Sequence, residues 1–183
     1  MKIFEKKGVC LILMVVLIAA GFLIGGYKGL AGQYQKAADV FFLGEDRDGI
    51  CIANDMAERA TALTNLQTVA AKYLTADSSA LKAAKDAVNA YTQAEGDIRA
   101  MFAANTSMDT AMADLYQDMD GKALAAKDES YRQRLYADFN SRNDTISHDP
   151  YYTYASDYNK LLSHFPANLI AAATPVRAAA IQY

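Results

Sequence analysis

The chain of 183 residues has no tryptophan, three prolines, two cysteines and two histidines. Scarce proline and glycine beside abundant alanine leave long stretches free to be helical and argue against a loop-rich or all-β fold. Two cysteines build no disulfide framework. Cys10 lies in an apolar run and Cys51 outside it, so the two are not expected to pair, and Cys51 reads as a small apolar core residue. Neither His148 nor His164 has a cysteine or acidic residue at zinc-ligand spacing. His148 belongs to a helix boundary, and His164 to a last helical turn, where an imidazolium is mildly favoured. Net charge is −3 with both signs interspersed. Without a basic stripe, nucleic acid is not an expected partner. A phosphate-cradling glycine loop and a nucleophile elbow are also missing. No catalytic residue, metal ligand or cofactor is expected.

What is present begins with Gly8 to Tyr27, twenty consecutive positions without a formal charge. A helix of that length covers about 30 Å, the hydrocarbon thickness of a bilayer. Lys2, Lys6 and Lys7 precede the run, with Glu5 among them, and Lys28 follows. This excess of lysine on the N-terminal side predicts a cytoplasmic N-terminus and an exported C-terminal domain. The competing reading is a cleaved secretory signal with Gly29-Leu30-Ala31 as its small-x-small site, followed by secretion. The expected organisation is a short basic N-terminus at 1–7, a transmembrane anchor at 8–28 in contact with the lipid bilayer, a helical domain at 29–172 and a C-terminal tail at 173–183.

Beyond the anchor the chain reads as successive amphipathic helices. The first continues from the membrane through Tyr34, Ala38 and Phe41-Phe42, until Gly44 to Gly49 interrupts it as a loop or a weak polar helical segment. The second carries Ile52, Met56, Arg59, Leu63, Leu66 and Ala70 at three- and four-residue steps, one face of a helix running to about Leu74. Thr75 to Ser79 supplies a turn and an N-cap. A third stretch carries Leu81, Ala84, Val88, Tyr91, Ile98 and Phe102, with Glu95 interrupting the seam. A bend or break is expected at Asn105-Thr106-Ser107, before Met108, Met112, Leu115 and Met119 resume the spacing and Gly121 stops it. A fourth has Leu124, Tyr131, Leu135, Phe139 and Ile146. Asp149-Pro150 marks a boundary, after which Tyr151, Tyr158 and Phe165 fall seven apart with Leu161 and Leu162 between. The Ala-rich tail, broken by Pro175 and Arg177, is expected to pack weakly or fray. Long helices with short connections predict an all-α fold, an N-terminal transmembrane helix followed by a long antiparallel bundle.

Three local patterns invite chemistry. Asp118-Met119-Asp120-Gly121 matches part of a calcium loop, but with Gly121 as its sixth position the first and twelfth become Tyr116 and Lys127, where oxygen ligands are required. It reads as a solvated helix end. Glu45, Asp46 and Asp48 form a wet acidic segment. Asn105-Thr106-Ser107 and Asn143-Asp144-Thr145 match the glycosylation pattern, which matters only in a secretory eukaryotic setting. The most unusual composition is the tyrosine-rich segment. Tyr151 and Tyr158 fall on the core seam, Tyr154 at its edge, and Tyr152 points elsewhere, which leaves Tyr152 and Tyr154 as a candidate partner surface.

Asp157-Tyr158-Asn159 followed by Phe165-Pro166-Ala167-Asn168-Leu169-Ile170-Ala171 resembles the C-terminal motif of the LemA family of small membrane-anchored bacterial proteins. That family pairs Tyr-Asn with Phe-Pro-x-Asn at this spacing, often after an earlier Tyr-Asn whose place Tyr151-Tyr152 takes here. Arg59 through Tyr73 resembles the family's Arg, Leu-Ile-Pro-Asn-Leu, Tyr segment, with Leu63-Thr64-Asn65-Leu66 standing in and Thr64 replacing the proline. The family's aromatic residue ahead of that arginine is absent. The resemblance implies a divergent member with a four-helix type of long antiparallel bundle beside the membrane, and no catalytic residues to carry over. Within the motif, Tyr158, Asn159, Phe165, Pro166 and Asn168 read as structural: Phe165 closing the bundle core, Pro166 ending the helix, Asn168 bonding freed carbonyls.

The functional expectation is a non-enzymatic, single-pass scaffold or adaptor at the inner membrane, with protein partners at its exposed faces. The alternative is an exported sensory bundle that binds a ligand and signals through a partner.

Overall fold

The computed structural model describes residues 7–181. Lys2, Glu5 and Lys6 lie outside the described residues, as do the last two positions of the tail. Among the described residues the fold is all-helical, without strands: α1 (Lys7–Leu43), α2 (Ile52–Ala70), α3 (Ser79–Gln93), α4 (Ile98–Asp118), α5 (Ala126–Ser147), α6 (Tyr151–Ser163) and α7 (Ala167–Ala173). The chain packs as two compact units. Of the described residues, one comprises 7–37 with Thr153–Ala179, the other Ala38–Tyr152 with 180–181.

In the second unit α2, α3, α4 and α5 pack on one another. Their directions alternate. Asp55, Arg59 and Lys72 of α2 and its C-terminal turn meet Arg142, Phe139 and Asp128 of α5 in reversed order, and the Tyr91 hydroxyl of α3 donates to the Ala53 carbonyl at 3.2 Å. The predicted face of α2 is buried throughout: Ile52, Met56, Arg59, Leu63, Leu66 and Ala70. Leu63 and Leu66 join Met108, Met112, Leu115, Met119, Leu135 and Phe139 in one core. Each large apolar side chain so buried contributes about 1.5–3 kcal/mol. A second cluster joins Phe41, Phe102 and Tyr151, whose rings meet at 5.2–6.0 Å between centroids.

The helix ends follow local chemistry. Gly44 to Gly49 forms a loop. Gly44 has φ +88°, and a Cβ there would lie 2.6 Å from the Ile50 carbonyl oxygen, so only glycine fits. Ser78 caps α3, its hydroxyl accepting from the Leu81 N–H at 3.3 Å. The expected break at Asn105-Thr106-Ser107 does not exist. The third stretch is instead cut between α3 and α4 at Ala94 to Asp97, where Gly96 takes φ +87° and Asp97 Oδ1 accepts from the N–H groups of Arg99 and Ala100 at 2.9 and 3.1 Å. Asn105 lies within α4 with its side chain buried in the core, where it accepts from Arg59.

In the first unit α7 packs against α1. Leu30, Ala167 and Ile170 form a small core, with Leu23, Leu162 and Val176 against it. From Thr174 to Ile181 the described tail is non-helical, and Ala179 within it is buried.

Candidate functional site

The largest unexplained surface is α1. Leu11 to Ile18, Phe22 and Ile24 are each 44–64% exposed, and the most apolar eighteen-residue window of the helix has no buried residue. This is one helix long and apolar enough to cross a membrane. A contiguous apolar surface of this extent exceeds what water-soluble monomers carry.

The most charged interior lies between α2, α4 and α5. Arg59 is wholly buried. Its Nε donates to the Phe139 carbonyl at 3.2 Å, Nη1 donates to Asn105 Oδ1 and Nη2 to Asp109 Oδ1, and the guanidinium stacks over the Phe139 ring at 3.9 Å. Burial lowers the Arg59 pKa from its ordinary value, and Asp109 opposes that shift. The sequence placed Arg59 on the core face but not its partners. The signal was available: Phe102, Asn105, Asp109 and Met112 follow the seam spacing, and polar residues at seam positions imply a buried polar counterpart. Nearby, Arg142 Nη1 donates to Asp55 Oδ1 at 2.8 Å. An open recess of about 230 Å³ between α2 and α5 is lined by Glu58, Asn65, Tyr131, Arg134, Asp138 and Arg142.

Tyr73 ties the end of α2 to the start of α5. Its hydroxyl donates to Asp128 Oδ2 at 2.6 Å and accepts from the Ala125 N–H at 3.2 Å. With Lys72 it holds the Asp128 carboxyl below its usual range.

Glu45, Asp46, Asp48, Asp144, His148 and Asp149 line a depression of about 360 Å³. Asp149 caps α6, its Oδ1 accepting from the Tyr151 N–H at 2.8 Å. Desolvation, with smaller repulsions from Asp55 and Glu45, raises its pKa. Among the described residues no three His, Cys, Asp or Glu side chains assemble in a way that could hold a metal ion.

Two serine–histidine neighbours test for nucleophilic chemistry. Ser147 Oγ lies 3.0 Å from His148 Nδ1, and Ser163 Oγ lies 3.1 Å from His164 Nδ1. Each pair converges on one helix-terminal carbonyl. Ser147 Oγ donates to the Asp144 carbonyl at 2.8 Å and His148 Nδ1 reaches it at 2.9 Å; for the second pair Lys160 supplies the carbonyl, at 2.7 Å from both. An Nδ1 that donates to a carbonyl carries its proton and has no lone pair for the serine hydroxyl. These are helix C-terminal caps, not catalytic dyads. Cys51 is buried at the N-cap of α2, and desolvation raises its pKa, the opposite of an activated thiolate.

Of the tyrosines, Tyr151 and Tyr158 are buried as the seam implied. Tyr152 is half-buried, its ring 6.3 Å from Phe102 and 5.7 Å from Tyr151. Burial and the nearby Asp149 charge push its pKa up to about 12. Tyr154 is half-buried as well. Two of the motif residues hold the tail. Tyr158 Oη donates to the Arg177 carbonyl at 3.3 Å. Asn159 Nδ2 donates to the Ala179 carbonyl at 3.1 Å, and its Oδ1 accepts from the Ala179 N–H at 2.8 Å. The side-chain amide thus satisfies both backbone groups of one tail residue, and Ala179 is buried.

Phe165 does not close a core: it is 81% exposed. The helix ends at Ser163, so the seven-residue register from Tyr151 and Tyr158 no longer sets the direction of its side chain. Asn168 is also exposed, and the freed His164 carbonyl is satisfied by the Asn168 backbone N–H at 3.0 Å. Pro166 stands just before α7, after α6 has ended.

Comparison with protein families, with curated proteins and with solved structures gave no match.

Proposed function

We propose that the protein is a non-enzymatic, membrane-anchored helical scaffold or adaptor, a divergent LemA-like protein of four-helix type, with α1 crossing the inner membrane and the bundle on the exported side. The observation that carries this reading is the exposed apolar surface of α1 from Leu11 to Ile24. Hydrocarbon is the solvent that such a helix fits, since its backbone bonds are satisfied internally and its side chains need no water. The interior chemistry agrees with a structural role: buried Arg59, Arg132 and Asp55 each have an oppositely charged partner, buried Asp149 holds the start of α6, the Ser–His neighbours are caps, and burial raises the pKa of the Cys51 thiol. Partners would meet the exposed polar faces of the bundle.

Two measurements test the reading. Alkaline extraction of membranes asks whether the protein is integral, and release into the supernatant would defeat the anchor. Lys122→Cys, with Cys10 and Cys51 replaced by Ala, places one thiol on the bundle. Labelling of intact cells by a membrane-impermeant maleimide is the expected result, and labelling only after permeabilisation would put the bundle in the cytoplasm. The adaptor role predicts specific crosslinked complexes in native membranes. Their consistent absence would leave an anchored bundle without the proposed role.

A further inference from the structure

The α6–α7 corner exposes apolar side chains at an unusual place. Phe165 is 81%, Leu169 56% and Leu161 41% exposed. On the opposite side of the corner, Ala167, Ile170 and Leu162 pack against Leu23 and Leu30 of α1. Gly26 permits this approach, because a Cβ there would run into the Ile170 side chain. The corner is therefore fixed at one level of α1, the last two turns of the charge-free run and the first turn after it.

That level coincides with a bilayer boundary. The run ends at Tyr27, itself exposed, and Lys28 follows, also exposed. Tyrosine and lysine are residues that anchor a helix at the headgroup layer. Leu23 lies four residues before Tyr27, about 6 Å deeper along the axis. An element packed there sits within the roughly 5–10 Å to which interfacial helices bury their apolar face. In water these exposed side chains are an unrelieved cost; at this depth they meet acyl chains.

We propose that the α6–α7 corner is a membrane-interface element, with Phe165, Leu169 and Leu161 inserted at the headgroup–acyl boundary of the leaflet where α1 emerges. The lipid surface is its partner. The proposal rests on α1 spanning the bilayer and goes beyond it: the protein touches lipid at a second site, which fixes the first unit against the membrane.

The absence of tryptophan makes the test direct, since a single introduced indole reports alone. Phe165→Trp and Leu169→Trp are placed in the full-length protein, reconstituted into phosphatidylcholine–phosphatidylglycerol vesicles with lipids brominated at shallow or deep acyl positions. Phe22→Trp in the anchor is the reference. The expected result is blue-shifted emission for the corner indoles, quenched more by shallow than by deep bromines, with Phe22→Trp also quenched. Because Phe165 and Leu169 are exposed, the variants should fold, which circular dichroism checks. If Phe22→Trp is quenched and both corner indoles emit as in water without quenching, the corner proposal is overturned and the anchor stands. If Phe22→Trp is itself unquenched, the membrane-spanning reading fails and the proposal falls with it.

Discussion

The guanidinium of Arg59 lies 3.9 Å from the centre of the Phe139 ring and donates through Nε to that residue's own carbonyl. One side chain of α2 thus meets both the ring and the backbone of a residue eighty positions away on α5. Every remaining donor direction of the guanidinium that is bonded leads to α4, through Asn105 and Asp109.

This arrangement predicts unequal costs for its members. Asp109→Ala leaves the wholly buried Arg59 guanidinium without its carboxylate and should cost about 3–5 kcal/mol. Arg59→Ala removes that buried charge with its packing and leaves behind only a carboxylate that is 40% exposed, so it should cost about 2–3 kcal/mol. Thermal melts of the detergent-solubilised variants check the order, and a near-neutral Asp109→Ala would show that the buried guanidinium does not need its anion.

Gly96 offers a test of backbone conformation alone. It takes φ +87°, and a Cβ there would meet nothing within 4 Å. Gly96→Ala should therefore destabilise by about 1–2 kcal/mol through left-handed strain without a clash. A neutral melt would mean that the α3–α4 turn relaxes to another geometry.

The grip of Asn159 on Ala179 governs the tail. Asn159→Ala deletes both bonds and should cost about 1–2 kcal/mol. The local consequence is easier to read. Trypsin should cut after exposed Arg177 faster in the variant than in the parent, at unchanged rates elsewhere. Equal cutting rates at Arg177 would show that the tail is held by other contacts.

Asp149 gives a pH dependence with a definite sign. Its pKa is raised above the ordinary 3.8, chiefly by desolvation. The folded state therefore favours the protonated carboxyl, whose contribution is full below 3.8 and is lost as pH rises through the raised folded value. Asp149→Asn keeps a capping oxygen but does not titrate. The stability of the parent relative to Asp149→Asn should fall as pH rises from about 3 through that window. A difference that is flat or grows with pH would contradict the shift.

Much of the fold was legible. The α2 face from Ile52 to Ala70, an N-cap within Thr75 to Ser79 and the boundary at Asp149-Pro150 follow from periodicity and capping chemistry, while Gly44 to Gly49 read equally as a loop or a polar helical segment. The third stretch shows where that reasoning stops. Asn105 is polar and sits in a polar triplet, so locally it resembles a break. It is nevertheless helical, and its buried side chain accepts from Arg59, forty-six residues earlier. Gly96 made the true break, but an isolated glycine between Glu95 and Asp97 does not announce left-handed geometry. Phe165 failed differently, because a seven-residue register holds only while the helix lasts.

The sequence by itself determined the length and apolarity of α1, the helical class of the fold and which faces turn inward, because these depend on residues within a turn or two of one another. Tertiary structure alone decided that Arg59 pairs with Asn105 and Asp109, that Asn159 clasps Ala179, and that Ile170 seats on α1 beside Gly26 while Phe165 stays outside. Each of those outcomes is a contact or exposure set by packing between separate elements, and local propensity carries no information about which distant group will be there to meet a side chain.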